Sequence, residues 1–411
     1  MRKAICNIGL LCGLAPLGLR RKEGAAMSEV LSLRNAFLAM EEGLISGFGS
    51  MESFEGQGFD SVEDARGATV LPAFCDSHTH ICYAGSREGE FIDKIRGLSY
   101  EEIAARGGGI LNSADLLART SEEELYSQTL ERAWELMRKG TGAIEIKSGY
   151  GLSLESELKM LRVIRRVKES VPALVKATFL GAHAVGRAFA GRQEDYVELV
   201  CREMLPAVAA EGLADYVDVF CDEGFFSPGQ TRKIIRAAAA LGLPAKIHAN
   251  ELAVSGGVQV AVEEGALSAD HLERTTEAEI EVLKGSGTMP TMLPGSSFFL
   301  GIPFGEAKKF IDKGLGLALA SDYNPGSSPS GDLRFVMALG CIRQRLLPEQ
   351  AFNACTLNSA YAMGLEGQAG SITEGKAANL IIADRPLSLA ELAYRYNTPF
   401  IRKVLLQGKE I

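Results

Sequence analysis

Residues 74–80 read Phe-Cys-Asp-Ser-His-Thr-His. A short apolar run ends here on two histidines two positions apart. A strand's period of two puts both imidazoles on one face, where they can reach one ion. Alone, such a pair is a weak signal. What decides the fold is recurrence: apolar β-branched runs alternate with polar loops and amphipathic helical stretches as far as Asn324. The further strands expected are Gly142 to Ser148, Val175 to His183, Val217 to Glu223, Ala245 to Asn250, Leu267 to His271, Thr288 to Leu293 and Gly316 to Asp322. With Phe74 to His80 these make eight βα units in order, which predicts an α/β fold of the TIM type, a (β/α)8 barrel. Ser121 with Glu124 forms a capping-box pattern for a helix that stops at Gly140, and Ser227-Pro228 opens another that closes at Gly242.

Working outward, residues 71–364 hold the barrel, and residues 1–70 and 365–411 remain. Both remainders read as strand and turn: Ala36 to Met40, Gly43 to Gly47, Leu380 to Ala383 and Lys403 to Leu406. Neither could bury a face alone, so the two ends are expected to meet in one small β-sandwich domain. The uncharged run from Ala4 to Leu19 is broken by Asn7, Gly9, Gly13, Pro16 and Gly18 and closed by Arg20, Arg21 and Lys22. It reads as a buried strand with a turn rather than a signal peptide. The connection after His80 is far longer than one helix needs. Its excess, from Ile81 to about Asn112, contains Gly107-Gly108-Gly109 and reads either as a functional loop over the barrel mouth or as a surface insertion with a flexible hinge.

Composition narrows the partners. The 411 residues carry 43 Lys+Arg against 52 Asp+Glu, a net charge of −9. That balance argues against a nucleic-acid surface or a polybasic membrane patch, and it means that an anionic substrate needs a local cation. The longest uncharged stretch, Gly285 to Gly305, is too rich in Gly and Pro for a membrane-spanning helix. The 8 Cys are scattered with no C-x-x-C pair, the pattern of reduced thiols in a cytoplasmic protein.

The 5 His fall at or near the ends of expected strands: His78 and His80 on the first, His183 on the third, His248 on the fifth, His271 on the sixth. The C-terminal ends of barrel strands are where active sites are built. Asp322, ending the eighth strand, adds a carboxylate. His78, His80, His248 and Asp322 together suit zinc or iron, with a further position for water. Such a metal acidifies water and makes hydrolysis the natural reaction class. The fourth strand, Val217 to Phe226 (VDVFCDEGFF), offers no Lys to bridge a second metal, so one divalent or trivalent ion per chain is expected.

The pattern F-C-D-S-H-T-H, followed by distant His, His and S-D, resembles the amidohydrolase superfamily, and G-S-I-T-E-G-K-A-A-N-L-I (370–381) resembles that superfamily's return into its small β domain. Within it, A-G-S-R-E-G-E-F (84–91), E-I-K-S-G-Y-G-L (145–152), F-L-G-A-H-A (179–184), K-I-H-A-N-E-L (246–252), S-A-D-H-L-E (268–273) and S-D-Y-N-P-G-S-S-P (321–329) are similar to the imidazolonepropionase family, in order and over nearly the whole chain. The resemblance implies hydrolysis of the ring amide of 4-imidazolone-5-propanoate to N-formimidoyl-L-glutamate in histidine degradation, and a homodimer.

On that reading Arg87 meets the propionate with a planar two-pronged donor, and Tyr150, between glycines, contacts substrate. His183 binds substrate or polarises the ring carbonyl. Glu251 faces the ring and moves a proton, or else is a solvated glutamate. The resemblance places Asn324, Gly326 and Ser327 against substrate or product, where a plain Pro-Gly turn is the alternative. His271 either ligates weakly or donates to the developing oxyanion. Asp322 takes the proton of the attacking water, and Glu251 or Asp322 protonates the departing nitrogen. One departure stands out: where the family carries a Pro-Pro loop, this chain reads V-G-R-A-F-A-G from Val185, and Gly186 is expected to loosen it. A purine or pyrimidine deaminase could use the same ligands, and a metal-stabilised binding protein is the non-enzymatic rival; Arg87 and Tyr150 speak against the first, and the number of converging polar groups against the second.

Overall fold

The computed structural model describes residues 1–98, 102 and 108–411. Strand β1 (Arg2–Leu14) is long enough to serve several neighbours. Along one edge it pairs antiparallel with β2 (Leu31–Glu41), which turns through Glu42-Gly43 into β3 (Leu44–Ser50). Both turn residues have positive φ, 50° and 83°, as a tight hairpin turn requires. Along its other edge β1 holds β4 (Ser61–Asp64) and then β5 (Thr69–Pro72), both parallel.

The chain then enters the barrel: β6 (Phe74–Thr79), β7 (Thr141–Lys147), β8 (Leu174–Ala182), β9 (Tyr216–Cys221), β10 (Ala245–Ala249), β11 (Ser268–His271), β12 (Met289–Met292) and β13 (Ala318–Leu319). They lie side by side in sequence order, all parallel. Every expected strand is present, and only the last is much shorter than its expected span, Gly316 to Asp322. Beyond Ala320 the chain leaves β12 and closes the ring against β6 instead. Asp322 N–H donates to the His78 carbonyl at 3.0 Å, His80 N–H donates to the Tyr323 carbonyl at 2.9 Å, and Ser321 donates through N–H and Oγ to Asp76 at 3.0 and 2.6 Å. This seam brings Asp322 beside the two histidines of β6.

After the barrel, β14 (Leu380–Ala383) pairs antiparallel with β5, and β15 (Ile401–Leu406) and β16 (Lys409–Glu410) extend the same sheet. Ala378 N–H donates to the Gly43 carbonyl at 2.8 Å, so the β3 edge meets the segment entering β14. The two ends of the chain thus share one mixed sheet rolled over a common core that includes Ile5, Ile8, Leu38, Val70, Leu380 and Ile382.

Helix ends follow their caps. Ser121 Oγ accepts from Glu124 N–H before the helix Glu122–Arg138, but the Glu124 carboxylate turns to Gln128, leaving half of a capping box. Ser227 with Gln230 completes a box for Pro228–Ala239. Among the described residues, the excess in the first connection carries the helices Glu88–Ile95 and Ile110–Arg119. Of the three expected hinge glycines, Gly107 lies outside the described residues, while Gly109 takes φ 86° just before the second helix. Gly186 does the opposite of loosening its loop: a Cβ there would lie 2.5 Å from the Leu152 carbonyl oxygen, so glycine permits a close approach of two loops. No described helix is long and apolar enough to cross a membrane.

Candidate active site

The floor of the barrel mouth is built at and just beyond the C-terminal ends of barrel strands. His78 Nε2 lies 3.1 Å from His80 Nε2, and Asp322 Oδ1 lies 3.5 and 3.4 Å from those two atoms. His248 Nε2 is 3.4 Å from His80 Nε2. Metal–nitrogen bonds of about 2.0–2.1 Å in tetrahedral geometry imply ligand separations of about 3.4 Å, so the spacing fits one ion.

Protonation points the same way. His78 Nδ1 donates to Asp270 at 2.6 Å and His248 Nδ1 lies 2.9 Å from Asp218, so a carboxylate stands on the Nδ1 side of each ring and each Nε2 turns inward. Burial, aided by neighbouring cations, pushes the pKa of His78 and of His80 well below the usual range. Lone pairs facing one another across 3.1 Å with no proton between them are what a cation satisfies. The four residues expected as ligands come together here, and His271 joins His78 and His248 in a second group whose ligand atoms lie within 4.8 Å of one another.

Beneath them lies a buried layer of charge. Lys147 Nζ donates to Glu145 at 2.6 Å and to Asp218 at 2.8 Å, and it lies 3.8 Å from Asp270. Lys246 Nζ donates to the Ser77 carbonyl at 2.8 Å and pairs with Glu145. Burial opposes the charge on Lys147, but Asp218, Glu145 and Asp270 outweigh it and raise its pKa. Lys147 therefore ties together the two carboxylates that orient His78 and His248.

His271 stands beside the cluster, its ring 5.2 Å from that of His248. Glu251 Oε2 lies 3.6 Å from His271 Nε2, and Glu273 Oε2 lies 3.6 Å from Nδ1. Burial disfavours the imidazolium, yet these carboxylates overcome it and hold the His271 pKa well above its usual value. Burial also lifts Glu251, to about 7. Asn250, His271, Leu272 and Asp322 all have positive φ, from 52° to 83°. Such conformations cost on the order of 1–3 kcal/mol each and persist where packing enforces them, typically at active sites.

One wall carries His183, whose Nδ1 donates to the Gly149 carbonyl at 3.0 Å and whose ring stacks on His80 at 5.3 Å. Burial lowers its pKa to about 3, so it is neutral with an acceptor Nε2. Tyr150 is buried 5.5 Å from the His183 ring, on a loop whose N–H groups at Gly149, Gly151 and Leu152 all donate to Glu157. Asp222 does the same for Glu251, accepting from N–H of Glu251, Leu252 and Ala253 at 2.8, 2.9 and 3.1 Å. Asn324 spends its side chain on its own turn: Oδ1 accepts from N–H of Gly326 and Ser327, and Nδ2 donates to the Asp322 carbonyl and Ser327 Oγ. Arg87 donates from Nε and Nη2 to Glu90. His183, Tyr150, Glu251, Asn324 and Arg87, with Lys94, line one cavity of about 710 Å³ whose walls also carry Phe91, Phe298 and Leu300.

Residues 69–411 match the Amidohydrolase family. Over 407 residues the chain is 51% identical to the imidazolonepropionase of Flavobacterium johnsoniae, covering 99% of each chain. The chain belongs to the imidazolonepropionase family of amidohydrolases. The imidazolonepropionase of Flavobacterium psychrophilum is 50% identical over 411 residues, 100% of each chain. In fold the chain is similar to a 5-methylcytosine deaminase from Klebsiella pneumoniae, with TM-score 0.73 over 98% of this chain and 97% of the other at 18% identity.

As an amidohydrolase the chain is a metal-dependent hydrolase, and two overlapping groups, His78 with His80 and Asp322 and His78 with His248 and His271, are able to hold an ion. The residues expected from sequence as metal ligands and substrate contacts lie together at this cavity and its floor. Sequence reasoning missed Lys147, Lys246, Asp218, Asp270, Glu157, Asp222 and Lys94. A signal existed for the buried layer: Glu145, Lys147, Asp218 and Lys246 sit at alternate, same-face positions of apolar strands that have no solvent face to spend a charge on.

Proposed function

We propose that this amidohydrolase opens the ring of 4-imidazolone-5-propanoate with water, giving N-formimidoyl-L-glutamate. The observation that carries the reading is one cavity in which His80, His248 and Asp322 of the proposed metal floor meet Arg87, Tyr150 and His183. A bound ion, zinc or iron by its ligands, supplies Lewis acidity and acidified water there.

The chain's own groups do the rest. Arg87 receives the propionate. His183, with Nδ1–H committed to Gly149, accepts a ring N–H at Nε2 rather than polarising the carbonyl. The proton lost by the attacking water passes to Asp322, whose Oδ2 is held by Ser296. As the water oxygen bonds to the ring carbonyl carbon, His271, held positive by the Glu273 carboxylate beside its Nδ1, donates to the oxygen that becomes negative. The carbon–nitrogen bond then breaks, and the buried Glu251 carboxyl gives its proton to the departing nitrogen. Asn324, Gly326 and Ser327 shape the wall, Asn324 by building the turn.

The proposal includes a homodimer working in the cytoplasm; all 8 Cys are free, which suits a reducing compartment. The test is the decay of imidazolone absorbance by purified protein loaded with zinc or with iron, beside a panel of purines and pyrimidines followed for ammonia. Turnover of the imidazolone alone supports the reading; deamination without it overturns it. Sedimentation reads the oligomeric state.

A further inference from the structure

The substrate proposed above is an anion, and the cation assigned to it is already engaged. Arg87 donates from Nε and Nη2 to both oxygens of Glu90, at 2.9 and 2.5 Å, and Glu90 also accepts from Gly109 N–H at 3.0 Å. The pair is neutral to first order, and one two-pronged edge of the guanidinium is spent inside it. Glu251, Glu273 and Asp322 lie deeper in the site. A propionate held by this pair alone would gain little net attraction, in a chain whose net charge is −9.

A second cation stands at the same place. Lys94 lies two helical turns from Arg87 on the helix Glu88–Ile95, and i, i+3 and i+7 spacing brings Arg87, Glu90 and Lys94 to one face. Its Nζ donates to the Gly326 carbonyl at 3.0 Å and lies 5.4 Å from the Phe299 ring centre. On the other side of the same glycine, a Cβ at Gly326 would come 2.2 Å from Arg87 Nη1. Gly326 is therefore bracketed by both cations, and only a residue without a side chain lets Arg87 pass. An ammonium has three donors, and the Gly326 carbonyl takes one. Lys94 lines the cavity together with Arg87, Tyr150 and Ser327.

We propose that Lys94 is the second cation of the carboxylate subsite: the substrate's propionate binds between Arg87 and Lys94, and Lys94 supplies the net positive charge that Glu90 takes from Arg87. The inference rests on the substrate reading above. It makes Lys94 a specificity-determining residue, and the acid-bearing side chain of the substrate the feature it reads.

The experiment compares the parent protein with Lys94→Met and Lys94→Arg, all metal-loaded, on 4-imidazolone-5-propanoate. It also measures competitive inhibition by 3-(imidazol-4-yl)propanoate and by its neutral amide. Removing one charge at a half-buried site is expected to raise KM and the inhibition constant of the acid by roughly tenfold, with kcat changed less than about twofold. The amide should bind the parent and Lys94→Met alike, and Lys94→Arg should recover most of the loss. Equal weakening of acid and amide would mean that Lys94 only props the Gly326 loop, and unchanged binding of the acid would remove its role; either outcome overturns the proposal. Absence of turnover by the parent protein would instead sink the substrate reading, which the variants do not affect.

Discussion

The floor and the rim of the cavity are held by different physics. On the floor, His78, His248 and Asp322 take their places from the barrel's strand register and closing seam; their partners Asp270 and Asp218 come from strands distant in sequence, and Lys147 ties those partners together. On the rim, Arg87, Tyr150 and Glu251 ride on loops, each clamped by one carboxylate: Glu90, Glu157 and Asp222. The floor resists displacement because moving one group disturbs a buried charge network. The rim can change one loop at a time. Chemistry is thereby separated from recognition.

The sharpest attack on the floor is Asp322→Asn, which keeps the shape and removes the charged ligand and base. Turnover should fall by about 10³-fold or more while the melting transition stays close to the parent's. Near-parental kcat would end the scheme. Lys147→Met comes next, because it leaves Asp218, Asp270 and Glu145 without their shared cation. A loss of roughly 3–5 kcal/mol in denaturant unfolding and a drop of about 10- to 100-fold in metal affinity are expected. Weaker metal binding sets this apart from simple destabilisation, and an unchanged affinity would show that the layer beneath the histidines does not position them.

The rim should break differently. Arg87→Ala is expected to raise KM about 10- to 100-fold with a smaller change in kcat, measured by initial rates. A dominant kcat loss would erase the contrast between the two regions. The gentlest probe is pH. Burial holds the Glu251 carboxyl protonated up to about 7. If that proton goes to the departing nitrogen, kcat/KM falls as pH rises through about 7, and Glu251→Gln lacks this limb. A rise instead of a fall would make Glu251 a base.

Much of this was legible because it is periodic. His78 and His80 share a face by strand alternation, and every histidine lies at or near the end of an apolar run, so the barrel and the placement of its four candidate ligands follow from local pattern. The rolled sheet of the two termini was legible only as two incomplete halves. Lys147 and Lys246 were visible as charges in buried strands, but nothing local says which carboxylate they meet. Gly186 looked permissive and is tight, because its constraint, the Leu152 carbonyl, comes from another loop. Asn324, expected against substrate or product with a plain turn as the alternative, lines the cavity and builds its own turn.

Strand order, the position of the ligands and the need for a local cation were thus determined by sequence, since periodicity and composition are properties of the chain itself. The closing seam at Asp322, the Asp–His pairs, the shared Lys147 and the engagement of Arg87 by Glu90 were decided by tertiary structure alone. Those contacts join groups whose separation in space is set by strand register and loop packing, and a buried charge has no meaning until its partner arrives.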